Sequence, residues 1–544
     1  MQALWHRNAT IYQVDPALFK DGNGDGHGDF QGLRSRLDHL RMLGVDCLWL
    51  NPFYASPFRD AGYDVSDHLA IDARFGEIPD FIALLERAAQ YGIRVIIELV
   101  VQHTSDQHPW FQQARRDRNS PYRDYYVWSD TPVETEFEPA FPDVEPSVWT
   151  WDEEAQQYYR HVFYAHEPDL NIAHPAVREE IRRIMAYWLR LGVDGFRLDA
   201  APYMAMQARC ADPREDGLWW LNEMKTFVAQ RSPLAVLMGE ADVGVHEYAE
   251  YFDGGRRLTW LLDFWLNNHA FLAFARGQAQ PLIEAIDERT PAPGDCSHVA
   301  WLRNHDQLDL DQLEDGERAE VVAAFAPDPC MRIYNDGIRR RLAPMFGGDT
   351  RRLAMAHALL FSLPGVPIVR YGEEIGMGED LLRPERLAVR TPMQWSDADN
   401  GGFSCAPRES LIAPPVTGGA FGFERINVQA QLGRPDSTLT RMQAFIRTRR
   451  GLRELIGSSH IVRVDAASVF GLRYDDAETG SSVYVFTNLA DTAVEFTLGE
   501  PQAQALVDVL GDREYPAAGC PARLQLSGYG YRWLRTGETG APLP

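Results

Sequence analysis

Short apolar runs alternate with helical patterns along most of the chain. Gly44, Gly92 and Gly192 each join a helical pattern to an apolar run, at a position where glycine readily adopts the left-handed conformation that ends a helix. The runs have the length and composition of buried parallel strands. The predicted strands lie at residues 10–19, 47–51, 95–101, 195–199, 235–240, 258–264, 298–304 and 366–371, with helical patterns between them, for example at 79–91, 176–191 and 351–362. Strands and helices in this repeating order predict an α/β fold closed into a (β/α)8 TIM barrel.

Two segments depart from this alternation. Residues 104–175 follow the third strand and are rich in aromatic and acidic residues. A loop of this length is usually functional, so we interpret it as an inserted lid subdomain. Short strands at 482–487, 493–498 and 529–534 predict a C-terminal antiparallel β-sandwich. The predicted domains are a barrel at 1–103 and 176–456, a lid at 104–175 and a β-sandwich at 457–544.

Composition and charge exclude several classes of partner. The chain has 544 residues and a net charge of -25, which repels nucleic acids and anionic membranes but not neutral sugars. The most apolar stretch, 354–369, contains Pro364, Gly365 and Pro367 and therefore does not predict a membrane span. The six cysteines lack CxxC spacing, and the first residues lack the apolar core of a signal peptide. We expect reduced thiols, a cytoplasmic location and no nucleic-acid or membrane partner, and the composition is compatible with a homo-oligomer.

Two carboxylates stand where predicted strands end. Asp199 follows Gly-Phe-Arg-Leu, and Glu240 follows Leu-Met-Gly. The carboxyl ends of barrel strands form the active face, so both acids are expected in one pocket, where paired acids are typical of glycosyl transfer. Arg197 points to the same face as Asp199 and should keep it ionised. Crowding by Asp199 and Asp306 should raise the pKa of Glu240.

These motifs resemble those of glycoside hydrolase family 13, the α-amylase family. The motif around Asp199 is similar to the one that carries the family's nucleophile, and Glu240 lies where the family has its acid/base residue. Asp306, in Arg-Asn-His-Asp, matches the acid that stabilises the transition state. Taken alone, each acid is better explained as a helix cap or a surface charge, and the functional interpretation rests on the three together. The resemblance implies a retaining mechanism with Asp199, Glu240 and Asp306 as catalytic residues.

Further residues resemble the sugar-binding residues of the family. His103 and His305 match histidines that bond sugar hydroxyls, although either alone is equally explained as a structural histidine. Tyr63 and Asp64, in Gly-Tyr-Asp-Val, resemble the floor of the subsite for the non-reducing glucose. Arg390, in Arg-Thr-Pro-Met-Gln-Trp, looks like the arginine that pairs with such an aspartate in exo-acting members. That pair would close the cleft into a pocket, and the alternative is a plain surface ion pair.

A nine-residue loop after the first predicted strand carries oxygen ligands at alternate positions with a glycine at the sixth, the spacing of a calcium loop. The candidate ligands are Asp21, Asn23, Asp25, His27 and Asp29. Gly32 at the twelfth position excludes an EF-hand. The loop resembles a structural Ca²⁺ loop of the oligosaccharide-cleaving branch of the family. Mg²⁺ or a metal-free acidic turn are the alternatives, and no organic cofactor is expected.

Other stretches resemble the trehalose synthase branch of the family, which interconverts maltose and trehalose. They lie at residues 120–129, 167–171, 337–344 and 371–378. The resemblance implies intramolecular glucosyl transfer on a small α-glucoside. The alternatives are an exo-acting α-glucosidase or a transglucosylase on another small α-glucoside, and, more remotely, a non-catalytic sugar-binding scaffold.

Two positions depart from the family pattern. Glu98 stands where the family has an aspartate that braces the arginine before the nucleophile, and Gln102 stands where it has an asparagine. In trehalose synthases that asparagine and the counterpart of Asp169 bind a second calcium. The side chain of Gln102 is longer than that of the asparagine, and residues 203–206 also diverge from the trehalose synthase pattern. We therefore expect one calcium and not two.

Overall fold

A computed structural model describes residues 4–133, 137–207, 217–334, 337–498, 505–518 and 523–537. Eight parallel strands close into a barrel in which each strand pairs with its neighbours in the chain and the last pairs with the first. The strands are β1 Ile11–Val14, β2 Cys47–Leu50, β3 Arg94–Leu99, β4 Gly195–Leu198, β5 Val236–Gly239, β6 Trp260–Leu262, β7 Ser297–Ala300 and β8 Val366–Arg370. The predicted (β/α)8 barrel is confirmed, and every strand lies where the apolar runs placed it.

The inward-facing side chains of the barrel strands are apolar at one end of the barrel and polar at the other. Ile11, Trp49, Ile96, Met238 and Ile368 belong to one buried cluster inside the barrel. The next inward positions towards the carboxyl ends are polar, because successive side chains of a strand point to opposite faces. Those positions hold Gln13, Glu98, Arg197 and Arg370, and Asp199 and Glu240 directly follow their strands.

Helices surround the barrel and bury their apolar faces against it. The helices Leu37–Leu43 and Pro175–Leu191 end at Gly44 and Gly192, whose φ angles of 94° and 107° are in the left-handed region. The other α-helices in the described ranges are Pro16–Phe19, Phe30–Ser35, Ile78–Gln90, Pro109–Arg116, Ala201–Gln207, Gly217–Arg231, Tyr248–Phe252, Phe264–Arg276, Gln280–Glu288, Asp315–Phe325, Leu342–Met345, Thr350–Ser362, Val428–Gln431 and Thr438–Gly451.

The segment between β3 and the helix Pro175–Leu191 carries a small sheet of its own. Its strands Trp128–Ser129, Gln157–Arg160 and Trp149–Asp152 are antiparallel. An isolated bridge from His103 to Asp169 joins the segment to the carboxyl end of β3, and a second bridge, from Tyr126 to Leu170, lies within the segment. We call residues 104–175 the lid segment.

The C-terminal part consists of antiparallel strands, as predicted. Five form one sheet, in the order Ser458–Ile461, Val469–Asp475, Ser482–Asn488, Tyr531–Gly537 and Ala505–Gly511. Val494–Thr497 pairs with Arg523–Leu526 in a second sheet. Buried side chains of both sheets, among them Phe486 and Phe496, share one apolar cluster. The boundary of this domain at residue 457 stays a prediction.

Within the described ranges, no helix combines the length and the apolar composition that crossing a bilayer requires. The cysteines in those ranges, Cys47, Cys296, Cys330 and Cys405, are free thiols. Cys210 and Cys520 lie outside the described residues.

Candidate active site

A cavity of about 490 Å³ lies at the carboxyl end of the barrel, and the three predicted catalytic acids line it. Its lining includes Asp60, Tyr63, His103, Phe141, Asp199, Tyr203, Glu240, Asp306 and Arg386. The non-glycine residue Ala200, which follows Asp199, has a φ of 49°. Such strained backbone is typical of functional sites, where the surrounding structure enforces it.

One guanidinium, that of Arg197, holds three of the acids together. It donates to Glu98 at 2.9 Å and to Asp199 at 2.5 Å through Nη1, and it contacts Glu240 through Nη2. Glu98 also accepts from Trp49 at 2.9 Å and from the hydroxyl of Tyr63 at 3.1 Å. The longer glutamate is thus accommodated at this position, because both of its oxygens have partners. Asp199 and Glu240 therefore lie side by side on one arginine.

Burial raises the pKa of Glu240 to about 7, and the carboxylates of Asp199 and Asp306 add to this, while Arg197 opposes it. The direction agrees with the sequence prediction, but burial and not crowding is its largest cause. Burial likewise raises the pKa of Asp199, against the opposing charge and hydrogen bond of Arg197. Arg197 thus favours ionised Asp199, as expected, without cancelling the effect of burial.

Asp306 is held as an anion. Its Oδ1 accepts from Arg386 at 2.9 Å and from Arg390 at 2.8 Å, and its Oδ2 lies 3.0 Å from Nε2 of His305. Although burial acts in the other direction, His305 and the two arginines lower the pKa of Asp306. The cavity therefore contains one firmly ionised carboxylate beside a carboxyl, that of Glu240, with a raised pKa.

Tyr63 and His305 form one stacked pair in the wall, with ring centroids 5.5 Å apart. Nδ1 of His305 lies 2.7 Å from the amide nitrogen of Gln13, which can only donate. Nε2 must then carry the proton, and it faces the hydroxyl of Tyr63 at 2.6 Å as well as Asp306. Because both ring nitrogens have protein partners and the ring does not line the cavity, the structure gives no sign of the predicted contact from His305 to a sugar.

His103 does line the cavity. Its Nδ1 lies 2.7 Å from the side-chain oxygen of Gln102, and the amide nitrogen of Gln102 donates to Asp169 at 2.8 Å. Arg160 also donates to Asp169, at 2.8 Å. In trehalose synthases the counterparts of Gln102 and Asp169 bind a second calcium. Here the carboxylate of Asp169 already accepts from an amide and a guanidinium. The expectation of a single calcium stays a prediction.

The expected pairing of Arg390 with Asp64 does not form. Asp64 is buried and accepts from Ser56 at 2.9 Å and from two backbone N–H groups of its own loop, so it shapes that loop and does not line the cavity. Arg390 instead contacts Asp306. The prediction failed because the loop carrying Arg390 packs behind Asp306, which the spacing of residues along the chain does not reveal.

The ion pair that closes the cavity is Asp60 with Arg386, at 2.7 Å. Sequence reasoning missed both residues. Asp60 lies three positions before Tyr63, just outside the Gly-Tyr-Asp-Val motif noted above. Its nearness to that motif could have indicated that it belongs to the site. Arg386 is one arginine of a long loop after β8, and no spacing distinguishes it.

A latch connects the lid segment to the loops after β7 and β8. Tyr164 of the lid donates to Glu385 at 2.6 Å, and Tyr334 donates to the same oxygen at 2.8 Å. The ring of Phe141 lies 4.7 Å from those of Tyr164 and Tyr334 and under the guanidinium of Arg386. We call Tyr164, Tyr334 and Glu385 the latch. It joins both loops to the lid segment, whose Phe141 and Phe163 line the cavity.

The predicted calcium loop is ordered by its own hydrogen bonds. Asp21 accepts from the N–H groups of Asn23, Gly24 and Gly26 and from the hydroxyl of Ser404. Asp29 accepts from the N–H groups of Gly22, Asn23 and Gly32, and Asp25 accepts from that of His27. The oxygen donors suit a hard cation. Across the described residues, however, no group of three or more His, Cys, Asp or Glu side chains is arranged around a common metal position. The calcium stays a prediction.

The sequence also matches known proteins. The model of the α-amylase catalytic domain matches residues 13–321 and 335–456. The chain belongs to the α-amylase family. The C-terminal domain of sucrose hydrolase-like proteins matches residues 480–535.

Two relatives of this α-amylase family member are similar over nearly their whole length. A trehalose synthase of Pimelobacter sp. is 39% identical, over 99% of this chain and 97% of the relative. A trehalose synthase/amylase of Mycobacterium tuberculosis is 39% identical, over 99% of this chain and 92% of the relative. Among solved structures, the trehalulose synthase MutB of Pseudomonas mesoacidophila is 26% identical with a TM-score of 0.79, covering 99% of this chain and 100% of that one.

Proposed function

We propose that this α-amylase family enzyme interconverts maltose and trehalose by retaining, intramolecular transfer of an α-glucosyl group. The observation that carries the proposal is the arrangement of Asp199 and Glu240 on the guanidinium of Arg197 inside a cavity closed by the Asp60–Arg386 pair. The similarity to trehalose synthases over 99% of the chain supports the choice of substrates.

In the first half of the reaction the Asp199 carboxylate attacks the anomeric carbon of the non-reducing glucose. The bond to the bridging oxygen breaks, and Glu240 transfers its proton to that oxygen. Positive charge develops on the sugar ring, and the ionised Asp306 stabilises it. The products are a β-glucosyl ester on Asp199 and free glucose.

In the second half the freed glucose turns within the cavity and attacks the ester through its anomeric hydroxyl. Glu240, now a carboxylate, takes the proton of that hydroxyl, and Asp199 leaves as a carboxylate. Two inversions at the same carbon preserve the α configuration. Water attacking at this step gives hydrolysis instead, so the latch that keeps the lid closed favours transfer.

Exo-acting α-glucoside hydrolysis is the second candidate. A probable α-glucosidase of Rhizobium meliloti is 35% identical over 74% of this chain. The two candidates share every catalytic step up to the glucosyl ester and differ only in the group that attacks it.

Incubating the purified protein separately with maltose, trehalose and sucrose, and resolving the products over time, separates the candidates. Trehalose formed from maltose, and maltose formed from trehalose, are expected. Glucose as the sole product would support hydrolysis and overturn the transfer proposal. Asp199→Asn is the control: it should lose nearly all turnover, whereas a sugar-binding scaffold would lose nothing.

We further propose one structural Ca²⁺ in the loop of residues 21–29, where the side chains of Asp21, Asn23, Asp25 and Asp29 would supply oxygen ligands. The cation would have no chemical role and would fix the loop after β1. A cytoplasmic location remains a prediction from the sequence.

A further inference from the structure

Asp169 is a buried carboxylate at the point where the lid segment joins the barrel. Its side chain is fully buried, and its backbone forms the isolated bridge to His103 at the end of β3. Removing a carboxylate from water is costly unless charged or hydrogen-bonding groups surround it. In trehalose synthases calcium lies at the counterparts of Asp169 and Gln102, so the groups around Asp169 decide whether the ion fits this chain.

The groups that face Asp169 are hydrogen-bond donors and not calcium ligands. Its Oδ1 accepts from the amide nitrogen of Gln102 at 2.8 Å and from the backbone N–H of Val162 at 3.1 Å, and its Oδ2 accepts from Nε of Arg160 at 2.8 Å. The side-chain oxygen of Gln102 points away from Asp169 and lies 2.7 Å from Nδ1 of His103. Calcium takes roughly six to eight oxygen ligands. The donor set around Asp169 therefore does not fit the ion.

Arg160 brings a permanent positive charge to this position. A guanidinium stays charged at every physiological pH, and its forked donors match a carboxylate. Its Cζ lies 4.4 Å from the ring centroid of Phe137, which belongs to a buried apolar cluster of the lid segment. The backbone of Arg160 pairs with that of Trp149 in the lid sheet, and its carbonyl oxygen accepts from the N–H of Asp169 at 2.9 Å. The cation is thus fixed by the lid on one side and by Asp169 on the other.

The surroundings of this ion pair extend to the catalytic cavity. His103, whose Nδ1 contacts Gln102, lines the cavity. Tyr203 also lines it and packs against the apolar cluster that contains Phe137. We propose that the guanidinium of Arg160 takes the place of the second calcium, so that the lid segment is fixed to the barrel without a metal ion at Asp169.

The test restores the calcium ligands. Arg160→Met removes the charge and keeps a long apolar side chain beside Phe137, and Gln102→Asn introduces the shorter amide of trehalose synthases. The folded double variant should bind one calcium per chain more than the wild type, counted by elemental mass spectrometry after gel filtration in calcium buffer. Its extra ion should replace the charge that Arg160 supplies to Asp169.

Hydrogen exchange of the backbone amides of residues 157–170, followed with Ca²⁺ and with EGTA, measures the attachment of the lid. In the wild type the two rates should agree within about twofold, whereas in the double variant EGTA should speed exchange about tenfold or more. The matched control combines Gln102→Asn with Arg115→Met, because Arg115 is also in the lid segment and pairs with the buried Asp152 at 2.7 Å. The control should gain no calcium and no response to EGTA.

A folded double variant that binds no more calcium than the wild type would overturn the inference. Faster exchange of the wild-type lid in EGTA, or a lower calcium count in Asp169→Asn than in the wild type, would also overturn it, because the wild type would then hold the ion at Asp169. These two measurements decide the question if the double variant does not fold. None of the readouts uses a sugar, so the result is independent of the proposed function.

Discussion

Replacing Tyr164 with phenylalanine is expected to shift the products of maltose from trehalose towards free glucose. The hydroxyl of Tyr164 donates to Glu385 at 2.6 Å and is the lid's contribution to the latch. Phenylalanine keeps the ring, whose centroid lies 4.7 Å from that of Phe141, so packing is retained. The substitution removes the hydrogen bond to Glu385 and the 3.2 Å contact with the hydroxyl of Tyr334. The lid should therefore open more often while the catalytic acids stay in place.

The size of the expected change in the product ratio follows from the type of hydrogen bond that is lost. A hydrogen bond to a charged group contributes about 1.5–3 kcal/mol, and because Glu385 is only partly buried we take the lower end, about 1.5 kcal/mol. Since about 1.4 kcal/mol is a factor of ten, the open lid should become about tenfold more populated. The ratio of glucose to trehalose should rise by up to the same factor. Tyr334→Phe should act similarly, and the double variant should show less than the sum because both hydroxyls share one acceptor.

The assay follows glucose and trehalose from maltose over time at equal enzyme concentration. Tyr158→Phe is the control, because Tyr158 is also in the lid segment and its hydroxyl bonds no atom within the described part of the chain. An unchanged product ratio in Tyr164→Phe, or an equal change in Tyr158→Phe, would refute the role of the latch.

Three other perturbations have defined outcomes. Glu240 must be protonated to release the leaving group, so kcat/KM should fall as pH rises through its pKa of about 7, and a profile that stays flat to about pH 9 would contradict this. Chelation with EGTA should lower Tm and added Ca²⁺ should restore it, with no such response in Asp25→Asn; an unchanged Tm would count against the calcium loop. Gly195→Ala should strongly lower Tm, because at a φ of 151° its Cβ would lie 2.2 Å from the carbonyl oxygen of Val236, and a Tm equal to that of the wild type would show that this approach is not tight.

The barrel was predictable because its signal is local. Each strand is a short apolar run, and glycines such as Gly192 mark where the preceding helix ends. The positions of Asp199 and Glu240 were predictable for the same reason, since each is the first residue after a strand. The carboxyl ends of the strands of a closed parallel barrel lie at one face, regardless of the conformation of the loops that follow them.

The rest of the site depends on loops whose paths are set by tertiary contacts. The partner of Asp60 comes from Arg386, 326 positions later in the chain, and the interpretation of Arg390 as the partner of Asp64 failed for the same reason. The latch likewise joins three separate loops. Tyr334 stands in the stretch between residues 321 and 335 that the family model does not match, so the resemblance gave no guidance there.

In the proposed reaction Asp199 forms the covalent bond to glucose and Glu240 supplies the proton. Glu240→Gln incubated with α-glucosyl fluoride tests it most directly, because fluoride leaves without an acid while the ester then lacks the base that resolves it. Mass spectrometry of the digested protein should find one glucosyl group on the peptide that contains Asp199, and none in the Asp199→Asn, Glu240→Gln double variant. A glucosyl group on another residue, or a labelled double variant, would contradict the account.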